Sequence, residues 1–337
     1  MAMTKDKIFN WKFCLCCGIF IWFVINLLQG IFTEIQEDEA YYALYGEYLA
    51  WGYFDHPPMV GLMTFLSSIF FSGTLGVRFF TIFASCLSLF VIWLIAISRP
   101  FDSSTPSTSP GIRDFNPADI TLFFIIAFSI VMFNIYGFIT TPDAALILFS
   151  ALFLLVYLRY LTEKSWKNAL LMGLFMALMI YSKYHAFLLL GLIVLSNLKL
   201  LKDGKFYVAC LVALALLTPH ILWQVNNDFP SFRYHLSGRN EAFRWSYFLE
   251  YLPNQLLVFN PFTFGAVVYV LIKDRPKRGW IASSSLLAMT PNEIFERGLR
   301  FILVGFFVFF WLMAFRGHVE PHWTIVCVIP MAVLLYR

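Results

Sequence analysis

Charge is scarce in this chain. Aspartate, glutamate, lysine and arginine make up 13% of it, about half the share of an average soluble domain. So little charge cannot cover a water-soluble fold of this size, and a hydrophobic content of 60% with a mean hydropathy of +0.74 points to the bilayer. Alternating apolar and polar positions, the mark of a membrane barrel, are also missing. The apolar runs instead reach about 20 residues, the length an α-helix needs to cross roughly 30 Å of hydrocarbon. The expected fold class is an all-α polytopic membrane protein. One membrane domain is expected over residues 1–337, with about ten spans and no soluble domain.

Paired cysteines are missing too. The six present, Cys14, Cys16, Cys17, Cys86, Cys210 and Cys327, lie in apolar runs without CxxC spacing. That excludes a zinc ribbon or a disulfide framework, and free cysteines in such runs pack as small hydrophobes. Acylation of Cys14, Cys16 or Cys17 stays open as an alternative. The net charge of +4 is small, and no nucleic-acid partner is expected. No small-residue cleavage site follows the first apolar run, 13–32, so it is expected to be a retained helix with its N-terminus in the cytoplasm. The last run, 324–336, is short for a span; either the final helix is clipped or the chain is truncated.

Placing the N-terminus inside orders the remaining runs. Lysine and arginine then gather on the cytoplasmic side, and only Arg78, Lys183, Arg233, Arg239, Arg244 and Arg316 fall outside, as the positive-inside rule requires. All the histidines, His56, His185, His220, His235, His318 and His322, fall on the outer side, as do Asp38, Glu39, Asp55, Asp143 and Glu320. Carboxylates, imidazoles and one lysine at the outer mouths of several helices describe a single site assembled from many loops.

The polar centre of gravity is the stretch 34–58, acidic and tyrosine-rich. Within it Asp38, Tyr41, Tyr42, Tyr45, Tyr48 and Leu49 recur at three- and four-residue spacing, the pattern of an amphipathic helix lying in the interface. Pro57 and Pro58 end it. Residues 59–71 suit a second interfacial or half-inserted helix. Further on, Ser182-Lys183-Tyr184-His185 breaks the apolar pattern, and Thr140-Thr141-Pro142-Asp143 forms a short outer turn.

These groups suit one kind of chemistry. Nucleotide-activated donors are confined to the cytoplasm, so group transfer on the outer face needs a donor that crosses the membrane, such as a sugar on a polyprenyl phosphate. Transfer to a hydroxyl needs a carboxylate to take the proton and cations or a metal to hold the departing phosphate. Asp38 or Glu39 is the candidate base and Asp143 a second acid. Lys183 with Arg233, Arg239 or Arg316 would hold phosphate. Tyr42, His56 and His185 are candidates for substrate contact, and Glu320 for an acceptor-side or metal contact. A divalent metal cofactor is left open.

The stretches DEAYYALYGEYLAWGYFDHPP, TPDAALILF, YSKYHAFLLL, PHILWQVNNDFPSFRYHL and RGHVEPHW occur in this order. In that order they resemble the GT-C glycosyltransferases, in the branch of the protein O-mannosyltransferases and the lipid A aminoarabinose transferase. The resemblance implies a GT-C helical domain with interfacial helices over a lipid-facing cavity. It implies that Asp38 and Glu39 lie at the catalytic centre, that Asp143 supplies a second acid, and that Lys183 meets the donor phosphate. The expected function is transfer of a sugar from a polyprenyl-phosphate donor to a hydroxyl of lipid A, a glycan or a protein, by inverting displacement. The expected setting is a bacterial inner membrane with the site facing the periplasm. The alternative, a proton-coupled transporter, calls for mid-span ionisable residues and a repeated half; neither stands out.

Overall fold

The computed structural model describes residues 5–98, 117–235, 244–273 and 289–337, with side chains from residue 11 onward. The described residues are helical, without strands. Helix α1 (Lys5–Phe32) is followed by two short helices, α2 (Glu37–Glu47) and α3 (Met59–Phe70), and then by α4 (Gly73–Ile97). Next come α5 (Pro117–Ser129), α6 (Val131–Ile135), α7 (Pro142–Thr162), α8 (Trp166–Ser182), α9 (His185–Ser196) and α10 (Gly204–Asn226). The chain continues with α11 (Pro230–Arg233), α12 (Trp245–Phe259), α13 (Pro261–Lys273), α14 (Pro291–Met313), a 3-10 helix Pro321–Cys327 and α15 (Val328–Tyr336).

Among the described residues, four stretches are long and apolar enough to cross a membrane: Trp11–Phe32, Gly73–Ile97, Pro142–Thr162 and Gly204–Asn226. The apolar run 245–272 is broken. Asn260, with φ 68°, stops α12, and α13 departs at 101°. The run 120–138 is likewise divided, at Ile130, into α5 and α6. At the far end the apolar run that begins at 301 belongs to a longer helix, α14, which starts at Pro291. Thr290 accepts from the Glu293 amide while Glu293 returns a bond to Thr290 N, a reciprocal cap that starts the helix ten residues sooner.

Helix α7 is the hub. Sixteen of its residues are buried, and it packs against α4, α8 and α14. Leu146, Ala151, Phe153, Leu154 and Tyr157 are each sealed from solvent. Around it, α8 lies against α10, α4 against α1 and α3, and α9 against α14. Apolar surface faces outward elsewhere, as on α10 at Leu211, Leu214 and Leu222, which suits a surround of lipid tails. Two polar contacts cross the bundle interior: Trp22 Nε1 donates to Ser85 Oγ at 2.7 Å, and Asn197 Nδ2 to the Tyr157 hydroxyl at 3.1 Å.

The two short helices roof one end of this bundle. Three acids, Glu37, Asp38 and Glu39, open α2, where negative charge complements the helix dipole. Its inward face is Glu39, Tyr42, Tyr45 and Gly46. Gly46 allows α3 to come close, because a Cβ there would lie 2.4 Å from Thr64 Oγ1. The turn after α2 is held by Tyr53, which stacks on Tyr45 at 3.6 Å and donates to the Tyr45 carbonyl at 2.7 Å.

Candidate active site

The start of α7, the break between α8 and α9, and the end of α14 bring their polar groups together. The turn before α7 is shaped by Thr141, whose hydroxyl accepts from the Asp143 amide at 3.3 Å and caps the helix. Asp143 is therefore in the first turn and not the cap, which leaves its carboxylate free to point across the bundle. There it meets Lys183, at the break between α8 and α9. Lys183 Nζ donates to both carboxylate oxygens, at 2.8 and 2.9 Å. The side chains are 1% and 6% exposed, so this is a buried ion pair. His322 Nε2 lies 3.8 Å from the same carboxylate, and its ring faces Tyr136 at 5.4 Å.

Lys183 also lines a cavity of about 480 Å³. Its polar wall is cationic or titratable: His56, Lys183, His185, His235, Arg316 and His318. Its apolar wall includes Tyr184, Phe187, Phe309, Phe310 and Trp323. His185, Phe310 and Trp323 form an aromatic corner, with ring centroids 5.0 to 5.7 Å apart. A second hollow has a volume of about 470 Å³. It is lined by Leu49, Ala50, Trp51, Pro58, Met59, Leu62, Leu178 and Tyr181, without a charged group.

Asp38 stands on the first turn of α2. It is exposed and makes no hydrogen bond or ion pair among the described residues. It is not in the wall of the cavity, but it shares the neighbourhood. The charges of Asp55, Asp38 and Asp143 all bear on the Tyr42 phenol, whose ring meets the cavity histidine His56 at 5.6 Å. Burial, reinforced by these three carboxylates, pushes the Tyr42 hydroxyl well above its ordinary range, so it stays protonated.

Glu39, expected beside Asp38 in the reacting centre, is elsewhere. It is fully buried and pairs with the fully buried Arg78. Its Oε1 accepts from Arg78 Nε at 2.7 Å and from the Thr140 amide at 2.8 Å, and its Oε2 from Arg78 Nη2 and from the Gln36 amide at 3.1 Å. With both oxygens occupied and no exposed surface, the carboxylate has no route to a substrate. The one-hundred-degree step between neighbours on a helix separates the two acids of one motif into an inward and an outward group.

The other expected residues divide. His56, His185 and Arg316 line the cavity with Lys183. Arg233 is exposed on α11 and outside the cavity wall. Glu320 lies beyond the wall, 3.4 Å from the cavity residue His318. Arg239 falls outside the described residues. Among the described residues, no three histidine, cysteine or acidic side chains converge closely enough to hold a metal ion.

Residues given no individual role by the sequence also belong here. Asp55 anchors a phenol network, accepting from Tyr45 at 2.7 Å and from Tyr41 at 3.1 Å, with His56 Nε2 3.6 Å away. His235 joins the cavity wall, and its Nε2 is 2.9 Å from the Asp55 carbonyl oxygen. Tyr184 is held from behind by Gln224 Nε2 at 3.0 Å. Asp55 stands next to His56 in the first motif, and Tyr184 next to Lys183 in the break. Adjacency to chosen residues was the available signal. Burial pushes the His56 imidazole down to about 4, with Lys183 and His235 acting in the same direction and Asp55 and Asp143 opposing.

The helical bundle with its short helices α2 and α3 is an all-α polytopic membrane fold of the GT-C type. Residues 112–223 match the family described as dolichyl-phosphate-mannose-protein mannosyltransferase. Over 96% of its length the chain superposes on the crystal structure of ArnT from Cupriavidus metallidurans bound to undecaprenyl phosphate, with a TM-score of 0.68 and 16% sequence identity. It spans 59% of that chain. No curated protein sequence matches. The resemblance read from the five motifs is thereby borne out.

Proposed function

We propose that the protein is a glycosyltransferase that moves a sugar from a polyprenyl-phosphate carrier to an acceptor hydroxyl on the non-cytoplasmic side of a membrane. The observation that carries this reading is the position of Lys183, paired with Asp143 yet lining a cavity whose other polar groups are histidines and Arg316. Such a wall suits a phosphate, and the apolar hollow suits the first isoprene units of its carrier. The match to a mannosyltransferase family and the likeness to a structure holding undecaprenyl phosphate support the same class of donor.

In the proposed step the acceptor oxygen attacks the anomeric carbon from the face opposite the phosphate. Its proton passes to Asp38, the exposed carboxylate without a partner. The bond between the anomeric carbon and the phosphate oxygen breaks, and the polyprenyl phosphate leaves with the electron pair toward Lys183, Arg316 and the histidines. Configuration is inverted. The Asp143 carboxylate holds the Lys183 ammonium in place and would be drawn on less as the phosphate gains charge.

The test is reconstitution of the full chain in lipid vesicles with polyprenyl-phosphate sugars and extracted acceptor lipids and glycans, read by mass spectrometry. The expected result is an acceptor heavier by one sugar residue and stoichiometric polyprenyl phosphate, both lost in Asp38→Asn. Undiminished transfer by that variant removes the base assignment. Solute uptake with no covalent product identifies a transporter instead.

A further inference from the structure

We infer that Glu39 is a positioning residue: through Arg78 and the Thr140 amide it locks the turn that carries Asp38 against the turn that carries Asp143, an inference that rests on the transferase reading for its effect on catalysis. The geometry is specific. Glu39 and Thr140 are 101 positions apart, yet the Thr140 amide donates to Glu39 Oε1 at 2.8 Å. Thr140 stands three residues before Asp143. Its hydroxyl is 2.8 Å from that of Thr81 and donates to the Val77 carbonyl at 3.0 Å, so the turn is pinned to α4 as well.

Arg78 completes the lock from the other side. Its Nη1 donates to the Gly30 and Thr33 carbonyls at 3.1 and 2.9 Å, and its Nη2 to the Glu34 carbonyl at 2.7 Å. These are the last turn of α1 and the strand of chain leading to α2. One guanidinium and one carboxylate thus join α1, α2, α4 and the entry to α7. Both are sealed from solvent, where ion pairs and main-chain donors are costly to leave unmatched. Because Asp38 and Glu39 are neighbours on one rigid helix turn, about 100° apart, any rotation of α2 that withdrew Glu39 would also displace Asp38. Glu39 therefore sets where the base stands without touching a reactant.

Hydrogen exchange of the full-length protein in detergent, followed by mass spectrometry of peptides covering residue 140, reads the lock independently of activity. Glu39→Asp keeps the charge beside Arg78 but is one methylene short of Thr140. It is expected to raise exchange at the Thr140 amide by about tenfold or more, whereas Asp38→Asn leaves it unchanged. In transfer assays Glu39→Asp should lose about 100-fold in kcat, as expected for misplaced reacting groups, with KM for the donor within about twofold. Glu39→Gln strands the Arg78 charge, and the double variant Glu39→Gln/Arg78→Met should recover about tenfold of the lost kcat.

Unchanged Thr140 exchange in Glu39→Asp overturns the lock. A double variant as inactive as Glu39→Gln, with native exchange, overturns the positioning role and makes Glu39 a reacting group. If the native protein itself transfers no sugar, the function is wrong and the exchange result still decides the lock.

Discussion

Lys183 Nζ sits 2.8 and 2.9 Å from the two oxygens of Asp143, with both side chains almost sealed from solvent. The pair joins two breaks, the turn before α7 and the gap between α8 and α9. Removing one partner leaves the other charge buried alone. Lys183→Met and Asp143→Asn are each expected to cost about 3–5 kcal/mol of stability. Their combination is expected to recover most of that while remaining inactive, as measured by thermal unfolding in detergent and by sugar transfer. A double variant no more stable than either single would show that the two charges do not depend on each other.

Asp38 sits differently and should respond differently. Being exposed and without a partner, it can lose its charge with a change in stability within about 0.5 kcal/mol. Asp38→Asn should therefore insert, unfold at the native temperature and lose transfer. A large fall in unfolding temperature would assign it a structural role.

The depressed His56 sets a pH dependence. Its imidazole has an ordinary value of 6.5 and is held at about 4 in the folded protein, chiefly by burial. Between those values the unfolded chain binds the proton and the folded one does not, so stability rises with pH through this window. The full contribution is present above about 6.5 and is lost as pH falls toward 4. His56→Gln should flatten the slope of unfolding temperature against pH between 4 and 6.5, a difference on the order of 3 kcal/mol across the window. An unaltered slope would place the titrating group elsewhere, with His185 and His235, which face the same cavity, the next to vary.

Packing between the roof helices gives a sharper structural test. A Cβ at Gly46 would lie 2.4 Å from Thr64 Oγ1 and 2.8 Å from the Phe65 nitrogen, whereas one at Gly191 meets nothing within 4 Å. Gly46→Ala should cost about 1–3 kcal/mol through overpacking. Gly191→Ala should be neutral or stabilising by up to about 1 kcal/mol. Equal unfolding temperatures for the two variants would mean that α2 and α3 do not pack this closely.

The apolar hollow predicts a dependence on carrier length. Long-chain polyprenyl phosphate should raise the unfolding temperature more than inorganic phosphate does. Leu62→Asp, in the wall of that hollow, should erase most of the difference while leaving the response to phosphate alone. If Leu62→Asp responds to the long chain as the native protein does, the hydrocarbon lies elsewhere.

Much of this arrangement is legible in the sequence where a local rule decides it. The tyrosine spacing after Asp38 does mark a helix, although it stops at Glu47, well before the prolines expected to end it, and the polar Ser182-Lys183-Tyr184 interval does separate two helices. Other features turned on single residues that composition does not reveal. Hydropathy alone carries residues 245–272 straight through, because one asparagine with positive φ is invisible to an average. The reciprocal cap of Thr290 and Glu293 is a local signal that an apolar count starting at 301 overlooks. The different fates of Asp38 and Glu39 were hidden for another reason. Which of two adjacent acids turns inward depends on Arg78, 39 positions further along, and on a backbone amide 101 positions away.

The partnership of Arg78 with Glu39 also bears on how the chain comes to be built. During synthesis the guanidinium, the carboxylate and the carbonyls at the end of α1 emerge within the first 78 residues and can meet early. The amide they are waiting for belongs to residue 140, after α5 and α6. Biogenesis therefore has an order: the roof over the cavity is assembled first with one acceptor lobe left over, and closes only when the third long apolar helix arrives.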